Sequence, residues 1–411
     1  MDMSPTDQNQ PKNRKVTLDQ SIAMVGQLIA QEKIALASKL CDQILSIAPQ
    51  HPHVLNYQGM LAMKAGEWQK ALAYLEQAIR QQPQRGDYLN HYSHALLNTG
   101  QLDKANQFFQ KALFYSPGNF SAHYGLALTC LTQGDYEKGW RHFEWRLFLP
   151  SMAPRYPLEK RWQGEHCDSL LLYSDDNAAH LFMMLRFLPI LKKKVNHLLL
   201  EVGSEYIPLL KQYKTIDKII PKGNPIKHQG VNLPIMSIPN VIKLSLDDLP
   251  FSKNYIKSVK KPPIPITSHF NIGIGWKTIS MFIPLEKFIP LLENKTYHFY
   301  NLQEKIDKTF LENHPSITDA SHFIKDFSDM AAMIDACHLI ITADPALAHL
   351  SGAMGKKTWL LLPHYASWQW LTEKNSSPWE PNVILFRQPK VDDWDSVLQA
   401  VIQALRQEKV A

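Results

Sequence analysis

Apolar positions over the first 150 residues follow a helical spacing that itself repeats every 34 residues. The stretch GEWQKALAYLEQAIRQQP (66–83) lies in register with GQLDKANQFFQKALFYSP (100–117). Gly66 falls on Gly100, Ala71 on Ala105, Leu75 on Phe109, Ala78 on Ala112 and Pro83 on Pro117. A third copy opens at Gly134, in GDYEKGWRHFEWRL, and a fourth lies upstream, where Ala37, Cys41, Ile44 and Pro49 hold the same phases. Each unit reads as a pair of antiparallel helices. Ala71 and Ala105 let the two helices approach, Leu75, Phe109 and Phe143 fill the space between pairs, the glycines relax the turns, and the prolines mark helix ends. One pair cannot cover its own apolar face, so pairs must stack, and residues 16–150 are expected to form an α-solenoid.

That period and those small, large and Pro phases are the tetratricopeptide signature. Such arrays bind peptides or partner proteins on their concave face, or act as spacers, and both roles are open here. The copy at 134–146 departs from the pattern. Gly139 replaces the Ala and Arg146 takes an apolar phase. It reads as a terminal unit that turns Trp140, Trp145 and Arg146 toward the segment that follows.

After a Pro-containing connection (148–169) the periodicity changes. LLLY (170–173) and HLLLEV (197–202) read as short buried strands, with helices over 180–194 and 204–213. A second Pro-rich break, SVKKPPIPITSH (258–269), precedes another alternation. Its strands are FNIGIGW (270–276), YHFYNLQ (297–303), HLIITA (338–343) and TWLLLP (358–363), and its helices cover 285–293, 328–337 and 392–408. Strand–helix–strand order with short links predicts parallel sheets. The expected class is α followed by α/β, with two lobes at 165–260 and 268–411 and a cleft between them. Ligands of such sheets bind beyond the carboxyl ends of the strands.

One junction in the second lobe invites chemistry. In LIITADPALAHLSGAMGKKTWLLLP (339–363), Asp344 is a favourable helix N-cap and Pro345 takes the first helical position, where its missing N–H costs least. Gly355 supplies the stop. Ala346, Ala348, Gly352 and Ala353 keep the helix slim. Helical side chains lean toward the N-terminus, so His349 can point back toward a start that attracts phosphate. Spacing alone leaves a second reading equally open, in which Asp344 only caps and His349 only packs.

Composition narrows the partners. The charge of +6 over 411 residues is modest, and the lysine runs LKKKV and SVKKP carry no nucleic-acid motif, so no nucleic-acid partner is expected. The four cysteines show no CxxC spacing, which argues against a metal site or a disulfide framework. No window approaches the ~18 consecutive apolar residues of a spanning helix. The polar start MDMSPTDQNQPKNRK has no apolar signal region, so a cytoplasmic protein without a transmembrane segment is expected.

From the repeats to the end, the chain resembles bacterial tetratricopeptide-repeat glycosyltransferases, relatives of heptosyltransferases and of O-linked N-acetylglucosamine transferases. The resemblance is carried by GWRHFEWR, RWQG (161–164), YNLQ (300–303), DPALAHLSGAMGKKTW, SPWEP (377–381) and LFRQ (385–388). It implies a GT-B fold of two Rossmann-like lobes and metal-independent transfer, with no cofactor beyond a nucleotide-diphosphate sugar as donor. The acceptor, a protein or glycan, would lie on the concave face of the array. By position, Asp344, Pro345, Ala346, His349, Gln303, Trp276 and Lys277 are the implied donor-binding residues. His180 and Asp175 are the implied catalytic pair, either one deprotonating the acceptor.

Three departures motivate the alternative of a degenerate transferase serving as a tetratricopeptide scaffold. The family loop E-Q-G-x-G-D reads DDNAAH (175–180), with Asn177 and Ala179 in place of both glycines and His180 in place of the acid. A long polar loop after Trp276 is cut to KTISMF, leaving Lys277 as its cation. Pro345 replaces a Thr that would donate twice to a diphosphate, a loss worth roughly 1–3 kcal/mol.

Overall fold

The computed structural model describes residues 16–175, 177–224, 230–250, 254–278, 282–372 and 375–408. The chain divides into two compact units, one ending at Gly125 and one starting at Leu126.

The first unit is built from α1 (Leu18–Ala30), α2 (Ile34–Ile47), α3 (Pro52–Lys64), α4 (Trp68–Gln81), α5 (Gly86–Asn98), α6 (Leu102–Tyr115) and the start of α7 (Phe120–Thr132). Thr17 opens α1 with a reciprocal cap in which its hydroxyl accepts from Gln20 N and the Gln20 side chain accepts from Thr17 N. The residues expected to be small or large at fixed phases are all fully buried: Ala37, Cys41, Ala71, Leu75, Ala105 and Phe109. Close approach is enforced from both sides. A Cβ on Gly59 would lie 2.4 Å from Leu75 Cγ, and one on Gly125 would lie 2.2 Å from Phe109 Cζ.

The turns follow the glycines. Gly66 and Gly100 have φ of 75° and 70°, the left-handed region that glycine enters without penalty. The first copy holds Glu32 at this phase, with φ 57°. A left-handed non-glycine costs roughly 1–2 kcal/mol, and glycine's looser unfolded chain returns about 0.4–1 of it. Glu32→Gly is therefore expected to raise the stability of the unit by about 0.5–1 kcal/mol, read as a higher urea midpoint at unchanged m.

The α5 helix carries a half-buried histidine. His94 packs edge-on against Phe109 with ring centroids 5.0 Å apart, and its Nε2 lies 3.0 Å from Ser121 Oγ. Burial, with some help from His91, pushes its pKa down to about 4. A base depressed on folding contributes stability above its unfolded pKa near 6.5 and loses it as pH falls toward 4. The expected loss between pH 7 and 4 is of order 2 kcal/mol from this group. His94→Gln should flatten that part of the pH–stability curve in chemical denaturation; an unchanged slope would sink the assignment.

The second unit starts with the rest of α7 and α8 (Tyr136–Phe143). Here the departures of the last repeat find their use. Trp140 meets Trp368 edge-on at 5.1 Å and Trp379 at 6.4 Å, and Tyr136 OH accepts from Trp379 Nε1 at 2.8 Å. Arg146 is buried and donates to Ser237 Oγ at 2.9 Å. The last repeat thus packs Trp140 and Arg146 on the α/β region, as expected of them, whereas Trp145 is half-buried with its ring against Phe148 at 5.7 Å.

Four strands form the first sheet: β1 (Cys167–Tyr173), β2 (Val195–Val202), β3 (Lys218–Pro221) and β4 (Val231–Pro234), all parallel in the order β3-β2-β1-β4. Six form the second: β5 (Phe270–Gly275), β6 (Tyr297–Asn301), β7 (Ile317–Asp319), β8 (Leu339–Thr342), β9 (Thr358–Leu362) and β10 (Val383–Arg387), also parallel, in the order β10-β9-β8-β5-β6-β7. The second sheet runs outward from β5 in one direction and then returns to β8 on its other side. That reversal is the topological switch point of a doubly wound sheet.

The connecting helices are α9 (Ala178–Met184), α10 (Leu188–Lys192), α11 (Ile207–Leu210), α12 (Ile238–Val241), α13 (Ile289–Leu292), α14 (Lys308–Asn313), α15 (Phe327–Ala336), α16 (Pro345–Ala353) and α17 (Trp394–Gln407). The helices expected over 180–194, 204–213 and 285–293 are helical over most of their spans but not continuous α-helices. In every case a single 3₁₀ turn leads into a brief α-turn with proline second, at Pro189, Pro208 and Pro290, where the missing N–H and the ring shorten the ladder.

No helix among the described residues is long and apolar enough to cross a membrane.

Candidate functional site

The switch point sits where β5 and β8 end. Strand β8 is wholly buried, and its last residue, Thr342, accepts from the backbone N–H of Asp344 through Oγ1 at 2.9 Å. Asp344 then caps α16. Its Oδ1 accepts from Ala346 N at 2.7 Å and Leu347 N at 3.5 Å, and Pro345 follows at the first helical position. Met354 closes the helix and Gly355 leaves it at φ 74°. Glycine in β5 makes room for the helix: a Cβ on Gly275 would come within 3.1 Å of Leu347 Cδ2 and 3.0 Å of Gln303 Cδ.

Gln303 ties the neighbouring strand ends together. Its Nε2 donates to Lys277 O at 2.7 Å and to Asp344 Oδ2 at 2.9 Å, while its Oε1 accepts from Lys277 N at 2.9 Å. Both amide hydrogens are thereby used. Lys277 Nζ lies 2.9 Å from Glu304 Oε2, so this lysine is already ion-paired.

Beside these groups lies a cavity of about 420 Å³. Its polar rim is Lys277, Thr278, Gln303, Glu304 and Asp344. The remaining walls are apolar, from Leu302, Phe327, Met330, Ala346, Leu347 and Leu350. Burial pushes the Asp344 carboxyl above its ordinary value, opposed by the N–H groups of Ala346 and Leu347 and by Gln303.

The sequence-derived donor residues therefore separate into two groups. Gln303, Lys277, Asp344 and Ala346 line the cavity, with Pro345 between the last two. Trp276 and His349 do not line it. Trp276 is buried in the core of the second sheet. His349 is fully buried, stacked on Trp370 at 4.7 Å and 20°, with Nδ1 3.4 Å from Glu380 Oε1. Its Nε2 has no hydrogen-bond partner among the described residues, and burial depresses its pKa, opposed by Glu380.

Glu380 belongs to a buried knot across the two sheets. Arg186, which follows α9, forms an ion pair with Glu380 and donates to Trp379 O at 2.6 Å and to Tyr255 OH at 2.9 Å. The Tyr255 hydroxyl also lies 3.2 Å from Glu380 Oε1. Aromatic rings extend the same seam: Phe327 stacks on Tyr206 at 4.7 Å and 6° and meets Phe182 edge-on at 5.1 Å. Helix α9 packs along α16.

The expected catalytic pair is at the carboxyl edge of the first sheet. Asn177 caps α9 by accepting from His180 N at 3.2 Å, and His180 Nδ1 lies 2.8 Å from Asp175 Oδ2. Burial raises the Asp175 pKa, but His180 and the N–H of Asn177 outweigh it and carry it below its ordinary value.

Sequence reasoning missed Glu304, Phe327 and Met330 as cavity residues. Nothing in their local spacing marks them; the doubly wound order brings them to the rim. The IGIG run of β5 was a usable signal, since paired glycines in a buried strand announce a close neighbour.

A tetratricopeptide repeat model matches residues 56–120 and 93–139. The amino-terminal region carries tetratricopeptide repeats. Among solved structures, a MamA fragment running from its residue 41 to its end, from Desulfovibrio magneticus RS-1, is 21% identical. It covers 32% of this chain and 75% of its own, with a TM-score of 0.30. YrrB, described as a TPR protein with an unusual peptide-binding site, is 15% identical over 34% of this chain and 72% of its own, with a TM-score of 0.30. No curated protein matches the chain.

The repeats contain a smaller apolar pocket of about 190 Å³. It spans three successive first helices through Ile29 on α1, Met60, Leu61, Met63 and Lys64 on α3, and His91 on α5.

Proposed function

We propose that this chain is a protein-binding scaffold. Its tetratricopeptide repeats hold a protein partner, and its α/β region is a GT-B-like body that does not transfer sugar. The observation that carries this reading is the charge at the start of α16. A departing diphosphate needs donors and cations aimed at it. Here Pro345 offers no N–H, Asp344 occupies the N–H groups of Ala346 and Leu347, and Glu304 holds Lys277. His349, the imidazole that the resemblance assigns to the donor, lies under Trp370 and against Glu380.

One observation favours transfer instead: the Asp175–His180 pair has the geometry of a general base and its orienting acid. The readings separate by titrating the full chain calorimetrically with UDP-, GDP- and ADP-sugars. The expected result is no heat with any donor, together with a protein partner that co-purifies with the wild type and is lost with Met60→Glu. Micromolar donor binding that Gln303→Ala removes, with sugar release that His180→Gln abolishes, would overturn the scaffold reading.

A further inference from the structure

The cavity at the switch point is of a size that holds small molecules, which occupy sites of ~300–1,000 Å³. We propose that it binds a small organic cation, a protonated amine carried on an apolar body. This goes beyond the scaffold reading and does not depend on it.

The charges on the rim decide the sign. Lys277 contributes +1, and Glu304 and Asp344 contribute −1 each, so the lining side chains sum to −1. Lys277 and Glu304 neutralise each other at 2.9 Å. The start of α16 offsets only about half a charge of Asp344. An anion entering the cavity meets no uncommitted cation among the described lining side chains. An ammonium meets Asp344 Oδ2, which accepts one hydrogen bond from Gln303 Nε2 and keeps acceptor capacity for another. That carboxylate is held rigidly on both sides, by the N–H groups of Ala346 and Leu347 and by the Gln303 amide, so little ordering remains to be done on binding. Apolar surroundings strengthen the pairing relative to water.

The rest of the cavity fits the other end of such a ligand. Leu302, Phe327, Met330 and Leu350 offer hydrocarbon and one aromatic ring, and none of their side chains can form a directional polar contact with a sugar or a phosphate. The ring of Phe327 is itself fixed, by stacking on Tyr206. A flat or branched apolar body would lie on this wall while its charged head reaches Asp344.

The test compares three probes that share a phenyl ring on the full chain, by calorimetry or by ligand-observed NMR: 2-phenylethylammonium chloride, the neutral 2-phenylethanol and the anionic phenyl phosphate. The ammonium is expected to bind at least about tenfold tighter than the alcohol, and phenyl phosphate not at all. Asp344→Asn keeps a cap acceptor for Ala346 N and Leu347 N but loses the hydrogen bond from Gln303 Nε2, and it should reduce the ammonium to the level of the alcohol. Met330→Trp, which fills the cavity, should weaken the ammonium and the alcohol together. The proposal is overturned if phenyl phosphate or UDP binds as well as the ammonium. It is equally overturned if none of the three binds, or if Asp344→Asn leaves the ammonium's advantage intact while its melting temperature matches the wild type.

Discussion

Arg186→Ala is expected to destabilise the second unit by about 3–5 kcal/mol, because it leaves the Glu380 carboxylate buried without its cation. The guanidinium also donates to Met183 O, Trp379 O and Tyr255 OH, so its removal takes a donor from each of them, while Tyr255 keeps its contacts to Phe182 O and Glu380. At about 2–4 °C per kcal/mol for a unit of this size, the melting temperature should fall by roughly 6–20 °C. Replacing both partners by apolar residues of similar volume, as in Arg186→Met with Glu380→Leu, should recover most of the loss, since no buried charge then remains. A double-mutant cycle on urea unfolding reads the coupling directly. If the single and double variants lose the same stability, the ion pair is not what holds this seam.

Phe109→Ala should cost the first unit about 3–5 kcal/mol by opening a cavity between helical pairs. Phe109 is fully buried, touches the backbone of α7 at Gly125 and stacks edge-on with His94. The site has little freedom to collapse, because the partners at Ala105 and Ala112 are already small and buried. Adding bulk to the facing helix tests the same geometry from the other side. Gly125→Leu in the wild type should be destabilising, and in the Phe109→Ala background it should be tolerated far better. The check is chemical denaturation of the four combinations; additive losses would show that the two positions do not share one space.

The repeats were legible because each phase carries one physical demand. Ala71, Leu75 and Pro83 answer to local packing and to the chain's own turn, and the same demands return 34 residues later. The DPALAH junction was legible for the same reason: cap, proline and terminal glycine act within one helix. The two sheets were read only in part. Strands β3, β4, β7 and β10 are three to five residues long, and KIIP, VNLP and ITD are too short to show a period. The candidate site divides along the same line. Asp344, Gln303 and Lys277 could be placed from neighbouring motifs. The partners that decide its chemistry could not, because Glu304 closes on Lys277 and Glu380 on His349 only after the fold has formed.

The Arg186 knot has a kinetic consequence. Parting the two sheets would pull a guanidinium and a carboxylate out of a dry seam before water could reach either. It would also unstack Phe327 from Tyr206 in the same step. Such an excursion resembles partial unfolding more than hinge motion, so amide protons at the ends of β1 and β8 should exchange through one rare, shared event. A body built this way presents a single fixed shape to whatever it meets, and a partner must fit that shape as it stands.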